Sequence, residues 1–109
     1  MFHRGARCFV YLEPVDMRCG FERLSYFVTD KLKANLDHGD VFLFLGKNRR
    51  RLKAIFFDGS GLVLISKRME KVSFMRVEDL NGVKEITLRD LRFIMHGSVL
   101  RRYQPLSKK

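Results

Sequence analysis

Two clusters of basic residues in the middle of the chain are of the type that binds phosphate groups. One cluster enters a strand-like apolar run, and the other leaves the next such run. Each phosphate that is neutralised releases condensed counterions, so this gain in binding does not depend on base sequence. The predicted nucleic-acid-binding residues are Arg49, Arg50, Arg51, Lys53, Lys67 and Arg68.

The segment between the two clusters has the composition of a tight turn. It consists of Asp58, Gly59, Ser60 and Gly61. An Asp-Gly pair flanked by apolar runs favours a β-hairpin. Such a hairpin would place both clusters at the same end of its two strands, where they would form one positive patch.

Composition limits the class of protein. The 22 Lys and Arg exceed the 12 Asp and Glu, and the net charge of +10 favours a polyanionic partner, nucleic acid above all. The alternative is that these charges only keep the protein soluble. A chain of 109 residues with 46% hydrophobic residues predicts one globular domain, residues 1–109. Within it we expect an ordered core at about 7–98 and a mobile basic tail at about 99–109.

Neither a membrane span nor a metal centre is indicated. No apolar run approaches the roughly 18 residues of a span, and the N-terminus lacks the features of a secretory signal, so we expect a cytoplasmic location. Cys8 and Cys19 lack a second pair, and the three histidines are scattered. The sequence therefore predicts free thiols, no metal and no cofactor.

The first third of the chain predicts a strand and then a helix. Cys8 to Leu12 is aromatic and β-branched and stops before a proline. Apolar residues then recur at helical spacing, and we expect Asp16 to cap that helix and Gly39 to end it. The stripe consists of Phe21, Leu24, Val28, Leu32 and Leu36.

The remainder predicts strands and a second helix. Val41–Leu45, Leu52–Phe57 and Leu62–Ile65 suggest a meander, with further strands at Val72–Val77 and Val83–Ile86. Thr87 and Asp90 predict the start of a helix that ends at Gly97. The predicted fold is α+β, an antiparallel β-meander of three to five strands packed with one long N-terminal helix and one short C-terminal helix. The phenylalanines of the strands are interpreted as core in preference to base-stacking rings, and they are Phe42, Phe44, Phe56 and Phe57.

Three sets of residues together resemble a known family. Pro14, Asp16, Met17, Arg18, Gly20, Phe21 and Leu24 match the opening PxDMRxGFxxL of the accessory protein encoded by the second open reading frame of bacterial insertion sequences of the sixty-six family (Orf2-like, TnpB type). The segment from Val41 through the basic run, Asp58, Gly59 and Gly61 to Phe74 resembles its central block. Leu88, Leu91 and Gly97 resemble its closing segment. Cys19 departs from the family pattern, where a lysine is usual.

The resemblance implies a protein that acts beside a separate, larger transposase and for which no catalytic role is established. Strand transfer commonly uses carboxylates that hold two metal ions. The acids in the matched motifs are Asp16, Asp58 and Glu70, for which helix capping, a tight turn and pairing with basic neighbours are simple structural roles. No phosphate-binding glycine loop is present. We therefore predict that the protein is not an enzyme.

Two functions follow as hypotheses. The first is an accessory protein of a transposable element that binds DNA through the basic patch, positioned by phosphates without reading sequence. The second is a protein-interaction adaptor that docks onto the transposase without direct DNA binding, suggested by the two-sided apolar strand Val41–Leu45. RNA binding unrelated to transposition is a third possibility.

Overall fold

The computed structural model describes residues 5–48, 50–70 and 82–95, which form a mixed five-stranded sheet with short helical segments. The strands are β1 (Cys8–Tyr11), β2 (Val41–Leu45), β3 (Arg51–Phe57), β4 (Leu62–Arg68) and β5 (Val83–Ile86). The helical segments are α1 (Phe21–Tyr26), a π-helical turn (Phe27–Lys31), a 3-10 helix (Leu36–His38) and α2 (Leu88–Met95). The predicted α+β class is confirmed.

The prediction of a purely antiparallel meander is wrong. The strand order is β4-β3-β2-β1-β5, and β1 runs parallel to β2, pairing Cys8 with Val41. Parallel neighbours need a crossover of about a dozen residues or more, usually helical. The helical segment after β1 is this crossover. The order β2, β3, β4 is antiparallel as predicted, and β5 adds antiparallel to β1.

The prediction of one long N-terminal helix is also wrong. The α-helix has six residues and passes into the π-helical turn, closed by a bond of 3.0 Å from the Leu32 amide to the Phe27 carbonyl. The Thr29 hydroxyl donates to the Ser25 carbonyl at 3.1 Å, an alternative to regular helix bonding. Lys33 then adopts a left-handed φ of 55°. These local preferences divide the apolar stripe between three short helical pieces.

Most of the stripe still faces the core, but Phe21 at its start is exposed. Leu24, Val28 and Leu36 are buried against Phe42, Phe44 and Ile55, on what we call the α1 face of the sheet. Phe27 meets Phe44 edge-on, with ring centroids 5.5 Å apart. Gly39 ends the 3-10 helix with a left-handed φ of 81°, so its predicted role as a helix stop is confirmed for that shorter helix.

Strand β2 is buried on both sides, as its sequence predicts. Val41, Leu43 and Leu45 point to the opposite side of the sheet from Phe42 and Phe44. They pack there with Leu91 of α2, on what we call the α2 face. The centre of the sheet is therefore covered by the chain's own elements.

Helix α2 begins with the predicted capping box. The Asp90 amide donates to Thr87 Oγ1 at 3.0 Å, and the Thr87 amide donates to Asp90 Oδ2 at 3.4 Å. The predicted strand at Val72–Val77, the predicted helix end at Gly97 and the tail at 99–109 lie outside the described residues. Within those that are described, no helix is long and apolar enough to span a membrane.

Candidate nucleic-acid interface

The hairpin register brings two basic side chains face to face. Arg51 of β3 pairs directly with Arg68 of β4, and both are exposed. Strand alternation puts them on the α1 face together with Lys53, two residues further along β3. We call Arg50, Arg51, Lys53 and Arg68 the basic end of the hairpin, since Arg50 immediately precedes β3.

The other two predicted residues do not join this face. Lys67 pairs with Leu52, so alternation places it on the α2 side of β4, where it is half-buried. Arg49 lies outside the described residues. The structure therefore brings four of the six predicted residues to one end and face of the hairpin or its entering turn.

Glu70 closes the basic end. Its carboxylate accepts from Arg68 Nε at 3.1 Å, and its carbonyl accepts from Arg50 Nη1 at 3.1 Å. The Met69 amide donates to the Arg50 carbonyl at 2.7 Å. The predicted pairing of Glu70 with the basic cluster is confirmed. Because both partners of the Arg68–Glu70 pair are largely exposed, this pair stabilises the fold little.

Lys53 connects the basic end to residues 14–20, which we call the motif loop. Its Nζ donates to the Cys19 carbonyl at 2.6 Å in a half-buried position. The Val15 amide donates to the Leu45 carbonyl at 2.9 Å, which fixes the loop to the end of β2. Sequence reasoning assigned Lys53 to phosphate binding and missed this internal contact, because no local pattern joins residues 34 positions apart.

Asp16 does not cap the helix, so that prediction is wrong. Helix α1 starts after Gly20, whose extended backbone leaves no role for a carboxylate four residues earlier. Asp16 instead accepts from the Arg18 amide at 2.9 Å and from its guanidinium at 2.7 Å. The hydrogen bonds from Arg18 hold the pKa of Asp16 well below its usual range.

Three of the other positions in the opening motif are on the surface. The Arg18 side chain is 91% exposed, and Pro14 and Phe21 are exposed as well. Arg18 is therefore an additional surface guanidinium, next in sequence to the Cys19 carbonyl that Lys53 contacts. The sequence alone shows that Arg18 carries a charge. Only the fold shows that it lies next to the carbonyl that Lys53 contacts.

Asp58 has the predicted turn role. Its Oδ1 accepts from the Ser60 amide at 2.9 Å and from the Gly61 amide at 3.0 Å, and Gly59 has φ of 102°. The backbone bond from Ser60 is the largest of several that lower the pKa of Asp58. Asp58 and Glu70 lie at opposite ends of seven-residue strands, hence roughly 20 Å apart. Carboxylates that share two metal ions must lie far closer.

Both cysteines are free thiols, as predicted. Cys8 is buried in the α2 face, and burial raises the pKa of its thiol to about 11. At neutral pH this sulfur is protonated, so it behaves as an apolar core group.

The interpretation of the strand phenylalanines as core is supported for three of the four. Phe42, Phe44 and Phe56 are at most 3% exposed, and Phe57 is half-buried. Among the residues whose burial is described, the exposed aromatic rings are in α1 instead, where Phe21 is 47% and Tyr26 is 61% exposed. Sequence reasoning missed Tyr26, although its position off the apolar stripe was a signal.

Comparison with known proteins places the chain. The family described as IS66 Orf2 like protein matches residues 6–105. The uncharacterized proteins y4hO and y4jC of Sinorhizobium fredii (strain NGR234) are 32% and 33% identical to it over 94 residues. These alignments cover 86% of this chain and 82% and 80% of the two relatives. No solved structure matches significantly. The chain therefore belongs to the IS66 Orf2-like family, whose members are accessory proteins of insertion sequences.

Proposed function

We propose that this protein supports transposition without catalysing a reaction, by binding DNA phosphates through the basic end of the hairpin. One observation carries the proposal, the direct pairing of Arg51 with Arg68 across two strands. Like charges in directly opposite positions destabilise a sheet. A fold retains such a pair at little cost when an anion binds between or beside the two side chains.

The surroundings of Arg51 and Arg68 also support DNA binding at this end. Among the described residues, Arg51 makes no ion pair, and Arg68 meets only the exposed carboxylate of Glu70. Arg50 adds a third positive charge at the strand end. Together with a net charge of +10, these groups form a surface that attracts polyanions from a distance and holds them by their phosphates.

A salt titration of binding to duplex DNA tests the proposal. The logarithm of the affinity should fall linearly with the logarithm of salt concentration, and Arg51→Gln/Arg68→Gln should reduce that slope by about 1.8, at about 0.9 per lost phosphate contact. The matched control is Lys84→Gln/Arg92→Gln, which removes two exposed charges elsewhere and should leave the slope unchanged. A wild-type slope near zero, or equal losses in both double variants, contradicts the proposal.

The alternative is an adaptor that docks onto the transposase. Its motivation was the apolar strand Val41–Leu45, and that strand is buried on both faces by the chain's own elements. It offers no exposed docking surface. A pull-down with purified transposase in the presence of nuclease separates the two functions, because only an adaptor stays bound after DNA is removed. RNA binding unrelated to transposition is tested by competition between duplex DNA, single strands and structured RNA, which shows which nucleic acid the protein prefers.

A further inference from the structure

An open groove of about 560 Å³ lies between the motif loop on one side and α1 with the π-helical turn on the other. Its apolar lining includes the rings of Tyr11 and Phe27 and the buried side chain of Leu24. Tyr26 also lines it and is 61% exposed, so much of this large side chain is accessible to a ligand. This volume is within the range of about 300–1,000 Å³ that small-molecule sites occupy.

Both walls of the groove are held in place. On one side, the Val15 amide and the Cys19 carbonyl of the motif loop bond to Leu45 and Lys53 of the sheet. On the other side, Phe27 opens the π-helical turn and packs edge-on against Tyr11, with centroids 4.8 Å apart. Single π-helical turns within helices are frequent at functional sites. These contacts therefore fix the positions of both walls of the groove.

The charge of the groove is positive. Arg23 and Lys31 line it, both are exposed, and neither makes an ion pair within the part of the chain that the structure describes. The carboxylate that lines it, Asp16, is engaged by the Arg18 guanidinium. A ligand at this site therefore meets two cations and aromatic rings, with the one acid neutralised by its neighbour.

The groove also adjoins the basic end. Cys19 lines the groove, and its carbonyl is the atom that Lys53 contacts. A nucleic-acid strand whose phosphates lie along Arg51 and Arg68 would reach the groove by continuing past Lys53. A free acidic peptide could pair with Arg23 and Lys31, but it would make no use of the path that joins the groove to the basic end.

We propose that the groove accepts one unpaired base of single-stranded DNA, which stacks on Tyr26 while Arg23 and Lys31 hold the flanking phosphates. The inference rests on the proposed function, since it extends the same DNA path. Aromatic stacking of this kind is tolerant of base identity, because every base has a π-face. The protein would then prefer DNA with an unpaired end or loop over a fully paired duplex.

The test compares two DNAs, a blunt duplex and the same duplex with a single-stranded tail, bound by the full-length protein. Tyr26→Ala should weaken binding to the tailed DNA about tenfold and leave the blunt duplex unchanged. Tyr26→Phe should retain the preference for the tail, since stacking needs the ring and not the hydroxyl. The matched control is Phe21→Ala, which removes an exposed ring of the same helix that does not line the groove.

The outcomes separate the two proposals. Equal affinity of the wild type for both DNAs, with no effect of Tyr26→Ala, overturns the groove proposal and leaves the basic end intact. If the wild type binds neither of the two DNAs, both proposals are wrong. If Tyr26→Ala instead abolishes nuclease-resistant capture of purified transposase and does not change the tail preference, the groove takes an acidic protein segment and the nucleotide proposal is wrong.

Discussion

The two ends of the β3–β4 hairpin differ in how they are built. At the turn end, the Asp58 carboxylate is satisfied by amides two and three residues away. At the basic end, contacts join residues 20 and 34 positions apart, between Arg50 and Glu70 and between Lys53 and Cys19. One end is closed by local chemistry, while the other is assembled from distant segments and left with excess positive charge. The DNA contact that we propose lies at the assembled end.

Lys53→Met should have the largest effect of the substitutions that test this difference. It removes a hydrogen bond from an ammonium group to a half-buried carbonyl, and such bonds contribute about 1.5–3 kcal/mol. We expect the free energy of unfolding, measured in urea, to fall by about 2 kcal/mol. Hydrogen exchange should also quicken at the Val15 amide. Lys47→Met, an exposed lysine of the neighbouring turn, is the control. If both variants lose stability equally, Lys53 does not hold the motif loop.

Gly59→Ala should have the next largest effect, at the turn end. Gly59 has φ of 102°, a conformation that an alanine adopts only with strain of about 1–2 kcal/mol. Gly61→Ala is the control, because open space surrounds its Cβ position and its φ is ordinary. We expect the midpoint of urea denaturation to fall for the first variant only. DNA affinity should stay unchanged in both, and a loss in Gly59→Ala would show that the two ends are coupled.

The smallest effect concerns pH. Hydrogen bonds from Arg18 lower the pKa of Asp16, and the amides of the turn lower that of Asp58. A carboxyl whose folded pKa is depressed stabilises the fold above its unfolded pKa of about 3.9, and that contribution is lost as the pH falls through the folded value. Arg18→Gln should raise the pKa of Asp16 towards its ordinary value and leave Asp58 unchanged. Carboxyl carbon chemical shifts followed over an acid titration measure both.

The sequence was sufficient for part of the local structure. The Asp58 turn and the Thr87 capping box depend on neighbours within a few residues, and both were predicted. The two-sided burial of Val41–Leu45 involves distant elements, but it was predicted because the run is apolar at every position. The long helix was predicted wrongly because apolar periodicity continues through the π-helical turn, where the Thr29 hydroxyl competes for backbone carbonyls. Periodicity identified the core-facing positions Leu24, Val28 and Leu36 although the backbone between them is irregular, but it also assigned Phe21, which is exposed.

The candidate site was predictable only in part. Cross-strand pairing of Arg51 with Arg68 follows from the turn, since a hairpin fixes its own register. The contact of Lys53 with the motif loop depends on the parallel pairing of β1 with β2, which no local pattern encodes. The groove beside Tyr26 depends on the same pairing. Residue types could identify the charges, but only the topology could show which of them have internal partners.

The position of β1 between β2 and β5 has a consequence for the order of folding. Its two neighbours come from Val41 and Ile86, far along the chain, whereas β2, β3 and β4 pair through short connections. Because closing long loops costs more entropy than closing short ones, we expect the three-stranded segment to form first and β1 to join late. Kinetic φ-values should be high for Ile55→Val and low for Val10→Ala. The basic end would then exist on the nascent sheet before the motif loop docks, so phosphate attraction precedes the completed groove.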